Sequence, residues 1–132
     1  MAKPGPGESL EAFKERQARY VQKWRQANPE KQRLARKRAY DNRKRKGFDK
    51  VGGATCRNCG CTELHALEFN HKNGNGSKEH RENGRVAMVD RVLTGKRDTD
   101  DLEVLCRICN ALDHIERKLP HVKGKFKVTW YE

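Results

Sequence analysis

The sequence predicts an α+β fold: one small domain held together through cysteines, with a basic helical arm ahead of it. Three observations predict this. Lys and Arg crowd the first 50 residues, four cysteines stand as two C-x2-C pairs, and helix-like and strand-like apolar spacings alternate between and after those pairs. With 132 residues there is room for one ordinary domain, or for a smaller one with an appended arm. Apolar residues (34%) are outnumbered by charged ones (36%), so the core is thin and something else must help hold it.

The elements follow in order. Pro4, Gly5, Pro6 and Gly7 make residues 1–8 a loose tail. Ser9 is then an N-cap, and Leu10, Phe13, Tyr20, Val21 and Trp24 lie on one stripe of a helix from about 10 to 27. Asn28-Pro29-Glu30 stops that helix and starts another, from about 29 to 46, with Asn28 as the cap and Pro29 at the first helical position. This second helix, KQRLARKRAYDNRKRK in its main part, is too polar for a core and carries charge all round. Gly47, Gly52 and Gly53 mark a hinge, giving an arm over residues 1–50 and a body over 51–132. In the body, Leu67 and Phe69 alternate with Glu68 and Asn70, a strand ending at His71. A turn-rich loop, residues 72–76, precedes a short helix with Val86, Ala87, Val89, Val92 and Leu93 that ends at Gly95. Leu102 and Val104 mark a second strand, and Ile108, Leu112 and Ile115 mark a helix from about Arg107 to Lys118 that Pro120 stops. Phe126, Val128 and Trp130 alternate as an edge strand would.

No apolar run reaches the ~18–20 residues that span a bilayer, and MAKPGPGESLEAF lacks the apolar centre of a secretory signal. The expectation is therefore a cytoplasmic protein without a membrane partner. Reducing conditions there favour reading the cysteines as a metal site rather than as disulfides.

Of the net +12, residues 1–50 hold 16 Lys and Arg against 6 Asp and Glu, or +10. A basic arm on a nearly neutral body suits a polyanion partner, because each phosphate contact releases counterions. A helix kept charged only for solubility is the alternative, and 16 positive charges in 50 residues exceed that need. The nucleic-acid contacts are assigned to Arg25, Lys31, Arg33, Arg36, Lys37, Arg38, Arg43, Lys44, Arg45 and Lys46. In the body, Lys78, Arg81, Arg85, Arg91, Lys96 and Arg97 are placed to grip phosphates without reading bases.

Cys56, Cys59, Cys106 and Cys109 have the spacing of a tetrahedral four-thiolate structural zinc site. The hooks enclose 46 residues. Closing such a loop costs about 4 kcal/mol, against about 10–16 kcal/mol from structural zinc. Cys61 extends the first hook to C-x2-C-x-C; it either substitutes for Cys59 or is an ordinary buried thiol, and the lack of a second partner favours the thiol.

Within the loop stands LEFNHKNGNG, residues 67–76, and after it DLEVLCRICNALDH, residues 101–114. Over residues 54–118 the chain resembles the HNH nuclease family. Its pattern is a strand ending in Asp-His or His-His, a loop, a second strand introduced by Asn, and a helix opening with C-x2-C-His or C-x2-C-Asn. The resemblance implies a ββα-metal fold, cleavage or nicking of DNA (RNA not excluded), and a catalytic divalent metal (Mg²⁺, Mn²⁺ or Zn²⁺) beside the structural Zn²⁺. Proteins of this family and size commonly occur in phages and mobile elements. By position, His71 matches the histidine that acts as general base on the attacking water, and Asn70 the metal-binding residue before it. Asn110 matches the terminal metal ligand, and His114 a further ligand in some members. Asp101 stands where the family has the middle Asn that holds the catalytic histidine in place.

The chemistry fits independently of the resemblance. Histidine has the ordinary pKa nearest neutrality, as a base in phosphodiester hydrolysis requires, and a cation offsets charge growing on phosphate and leaving oxygen. Residues 110 and 114 share a helix face, while Cys109 sits about 100° away and is free for zinc. His65, His80 and His121 show no ligand spacing and read as surface residues. A non-catalytic zinc-containing nucleic-acid-binding module remains the alternative, since Asn at 70 and 110 holds a divalent cation less well than a carboxylate does.

Overall fold

The structure, a computed structural model, describes residues 3–83 and 87–132. Arg85 and Val86, assigned above to phosphate contact and to a helix, lie outside the described residues. The chain is a small mixed α/β protein dividing into two compact units, residues 1–39 and 40–132.

The first unit contains α1 (Leu10–Ala27) and the start of α2 (Pro29–Asp49). Ser9 Oγ accepts the Ala12 N–H at 3.2 Å, the N-cap its residue type favours. At the other end, both the backbone N–H and the side-chain Nδ2 of Asn28 donate to the Trp24 carbonyl, each at 2.9 Å. Pro29 restarts the helix where its missing N–H costs nothing. No residue of α1 is buried, and Leu10, Tyr20 and Trp24 are exposed.

α2 continues to Asp49, past the expected end near residue 46, because its last turn is part of the second unit's core. Phe48 is buried and its ring centroid lies 4.9 Å from that of Phe69. Gly47 is not a hinge: it is helical, and a Cβ there would stand 3.3 Å from the Phe69 ring and 3.4 Å from Val89. Its bareness allows close approach. The chain turns instead at Gly52 and Gly53, whose φ values of 107° and 112° favour glycine.

In the second unit, β1 (Leu67–His71) and β2 (Leu102–Cys106) form an antiparallel pair in which Leu67 faces Cys106, Asn70 faces Glu103 and His71 faces Leu102. Between them run α3 (Gly76–Asn83) and α4 (Ala87–Leu93), and after β2 comes α5 (Arg107–Lys118), which packs across both strands. Sequence periodicity missed α3, since GSKEHREN has no apolar residue. The core gathers Phe48, Leu64, Leu67, Val104 and Leu105 with Cys56, Cys61, Cys106 and Cys109. Phe126, Val128 and Trp130 form no strand; Val128 alone packs on the core, while Phe126 and Trp130 are exposed. Alternation there reflects one anchoring side chain and not a ladder. No helix among the described residues is long and apolar enough to cross a membrane.

Candidate functional site

Two features of the second unit carry chemistry, and the cysteines come first. The Sγ atoms of Cys56, Cys59, Cys106 and Cys109 all lie within 4.8 Å of one another. Cys59 and Cys106 sulfurs are 3.7 Å apart. A tetrahedron with Zn–S of ~2.3 Å has an edge of ~3.8 Å, whereas a disulfide needs ~2.05 Å. Donors point at the sulfurs: the Cys109 N–H reaches Cys106 Sγ at 3.4 Å and Asn58 Nδ2 reaches Cys109 Sγ at 3.3 Å. Burial pushes the Cys56 thiol up, but the N–H groups of Cys59, Cys106 and Asn58 outweigh it and bring the thiol to about 7. Burial raises Cys59 and Cys109, so four adjoining thiolates need a cation among them. This cluster could hold a structural metal such as zinc. Cys61 lies outside it, buried in the core.

The second feature surrounds the end of β1. A cleft of about 330 Å³ is lined by Asn70, His71, Gly76, Asn110, Asp113, His114 and Arg117 among others, so four of the expected site residues line one cleft. Asn70 is buried, and its Nδ2 donates to Glu103 Oε1 at 2.9 Å and to Asp113 Oδ2 at 3.5 Å. Asn110 Nδ2 donates to Glu68. Because carboxylates accept only, both amides present nitrogen to them and leave Oδ1 as the remaining donor to a cation. Asp113 is further held by Arg117 Nε at 2.8 Å. Asp113 escaped the sequence reading although it lies three residues from Asn110 on the same helix, a spacing that puts both on one face.

Asp101, the fifth expected residue, reaches His71 only indirectly. Its carbonyl accepts the Lys72 N–H at 2.8 Å, and both its carboxylate oxygens accept from Arg97 at 2.9 Å. Arg97 also grips Glu79, whose Oε2 stands 2.6 Å from His71 Nε2. His71, Glu79 and Asp101 have the mutual distances of a metal-ligand group, but the Arg97 guanidinium is already the cation bridging the two carboxylates. Arg97 is thus not a phosphate grip, and Arg91 too is paired with Glu79, at 3.1 Å. Lys78, Arg81 and Lys96 are exposed.

Gly76 opens α3 against the other ring nitrogen of His71. A Cβ there would come within 2.7 Å of Nδ1. Gly76→Ala is expected to displace the imidazole and destabilise the unit by about 1–3 kcal/mol, the usual cost of overpacking, read as a lowered urea midpoint at unchanged slope.

Of the ten basic residues assigned to nucleic acid, all but the half-buried Lys44 are exposed. Arg33 pairs with Glu30 and Arg43 with Asp90, while Lys44 lies over the Phe48 and Tyr40 rings, burial depressing its pKa. Arg25, Lys31, Arg36, Lys37, Arg38, Arg45 and Lys46 make no ion pair among the described residues.

Comparison with protein-family models, with curated proteins and with solved structures gives no match to this chain. Fold and site alone define a small mixed α/β protein with a four-cysteine cluster able to hold a metal such as zinc.

Proposed function

We propose that the chain is a metal-dependent nuclease of HNH type that hydrolyses DNA phosphodiester bonds with His71 as general base, its domain stapled by zinc on Cys56, Cys59, Cys106 and Cys109. One observation carries the reading: Asn70, His71, Asn110 and His114, from two distant stretches of sequence, line the same cleft. With Nε2 turned to a carboxylate, His71 carries its proton there and keeps the Nδ1 lone pair. Nδ1 takes a proton from water as the water oxygen bonds to phosphorus and the opposite P–O bond breaks, the leaving oxygen gaining a proton from solvent. When bound at the cleft, a divalent cation would offset the charge growing on the phosphate. The oxygens of Asn70, Asn110 and Asp113, with His114, would hold it, and this oxygen-rich set suits a hard ion. Asp113 would supply the acidic ligand that positions 70 and 110 lack.

Supercoiled plasmid incubated with the protein and Mg²⁺ or Mn²⁺ should become open circles. Tight binding without nicking under any divalent metal would assign the scaffold to the non-catalytic module instead.

The arm is expected to supply much of the affinity. Since Asp41 holds His65 at 3.0 Å and Phe48 fills the core, truncation should stop before Tyr40. Residues 1–39 hold 11 Lys and Arg against 4 Glu. Removing them should weaken DNA binding and flatten its salt dependence, by about 0.9 in slope for each phosphate no longer neutralised. An unchanged slope would place binding in the second unit.

A further inference from the structure

We infer that Glu79, held by Arg97 and through it by Asp101, is a positioning residue that fixes the tautomer and orientation of His71. The inference rests on the nuclease reading for its catalytic consequence, but its structural content stands on contacts already described. Glu79 Oε2 accepts from His71 Nε2 at 2.6 Å and from Arg97 Nη2 at 2.7 Å, and Oε1 accepts from Arg97 Nε and from Arg91 Nη1 at 3.1 Å. Every bond to this carboxylate comes from a donor.

That arrangement has a chemical consequence. Arg97, first, and then His71 hold the Glu79 carboxyl down to about 2, against the burial that would raise it. An ionised carboxylate accepts and cannot donate, so the imidazole must present N–H at Nε2. In the neutral ring the lone pair is then confined to Nδ1, the nitrogen beside Gly76, and both residues line the cleft. A side chain free to exchange tautomers would offer the base at the cleft only part of the time.

Arg97 supplies rigidity to Glu79. Its side chain is 10% exposed, and each of its N–H directions meets an acceptor: Glu79 at Nε and Nη2, Asp101 at Nη1 and Nη2, and the Asp98 carbonyl at 2.7 Å from Nη1. Only a planar fork satisfies both carboxylates at once, which a lysine cannot reproduce. Asp101 closes the ring, because its carbonyl also holds the Lys72 N–H directly after His71. The role expected of Asp101 from its sequence position is therefore exercised through Arg97 and Glu79.

The test is ¹⁵N chemical shifts of the His71 imidazole in the zinc-loaded full chain, with single-turnover cleavage measured in parallel. Wild type should show the Nε2–H tautomer. Glu79→Ala should give a tautomer mixture. Glu79→Gln should shift toward Nδ1–H, because the guanidiniums claim the amide oxygen and turn its NH₂ toward His71. Both should lower the cleavage rate by roughly 10²-fold or more, as a wrong tautomer does, with KM within about twofold. If neither of these variants folds, Glu79→Asp, which keeps the charge but draws the carboxylate back from Nε2 by one methylene, should loosen the tautomer to a mixture. Retention of Nε2–H in the folded variants overturns the inference. A wild type that shows Nε2–H and never nicks DNA, with variants that lose the tautomer, overturns the nuclease reading and leaves the positioning intact.

Discussion

Chelating the metal from the four-cysteine cluster should unfold residues 40–132. The core there is a short roster, Phe48, Leu64, Leu67, Val104 and Leu105 with four cysteines, three of which belong to the cluster. Removing the cation leaves buried sulfurs without a partner and releases the 46-residue loop between the hooks. Structural zinc contributes about 10–16 kcal/mol, while whole domains are stable by only about 5–15 kcal/mol. The metal term is as large as the whole net stability, so no folded apo form should remain. Elemental analysis should find about one zinc per chain, and chelation should abolish amide-exchange protection in β1 and β2. A zinc-free sample that keeps that protection would show that the cluster is a packed group of thiols. α1 lies in the other unit, whose sequence contains no cysteine.

Much of this was legible before the structure, and what was legible shares a property. The cysteine hooks, the strand of residues 67–71 and the helix from Arg107 to Lys118 are each specified by residues close in sequence, through ligand spacing or through apolar period. Pro120 sets the end of α5 in the same local way. What stayed hidden depends on tertiary placement. α3 has no apolar stripe, so nothing local separated it from a loop, and Glu79 acquires a role only when α3 is laid beside His71. Gly47 has the sequence appearance of a hinge and the function of a contact, decided by the distant Phe69. Arg97 illustrates the opposite error: as one of six basic residues between the two strands it is assigned to phosphate contact, but Glu79 and Asp101 take up its donors. Asp113 lay within reach of local reasoning, one helical turn from Asn110, but it stands outside the family's motif positions.

His71→Ala should reduce DNA cleavage by roughly 10²-fold or more, with zinc content and DNA affinity close to wild type. The fold should tolerate the change, since Glu79 keeps Arg97 and Arg91 as partners when the imidazole is gone. Loss of activity with an intact fold is therefore attributable to the missing base. Asn110→Ala should also impair cleavage but respond to added divalent metal, because on the proposed reading it removes an oxygen ligand and leaves His71 in place. Asn70→Asp makes the complementary test. The wild-type amide donates to Glu103 and Asp113; the substitution replaces that donor with a third carboxylate, which repels its neighbours unless a cation sits among them. The variant should bind Mn²⁺ more tightly and reach half-maximal cleavage at lower metal concentration, while being less stable than wild type in metal-free buffer. Activity in His71→Ala equal to wild type would remove the histidine from the chemistry. If wild type binds DNA without nicking it and Asn70→Asp produces no cleavage under any divalent metal, the enzyme reading falls and the protein is a non-catalytic zinc-containing nucleic-acid-binding protein or regulator.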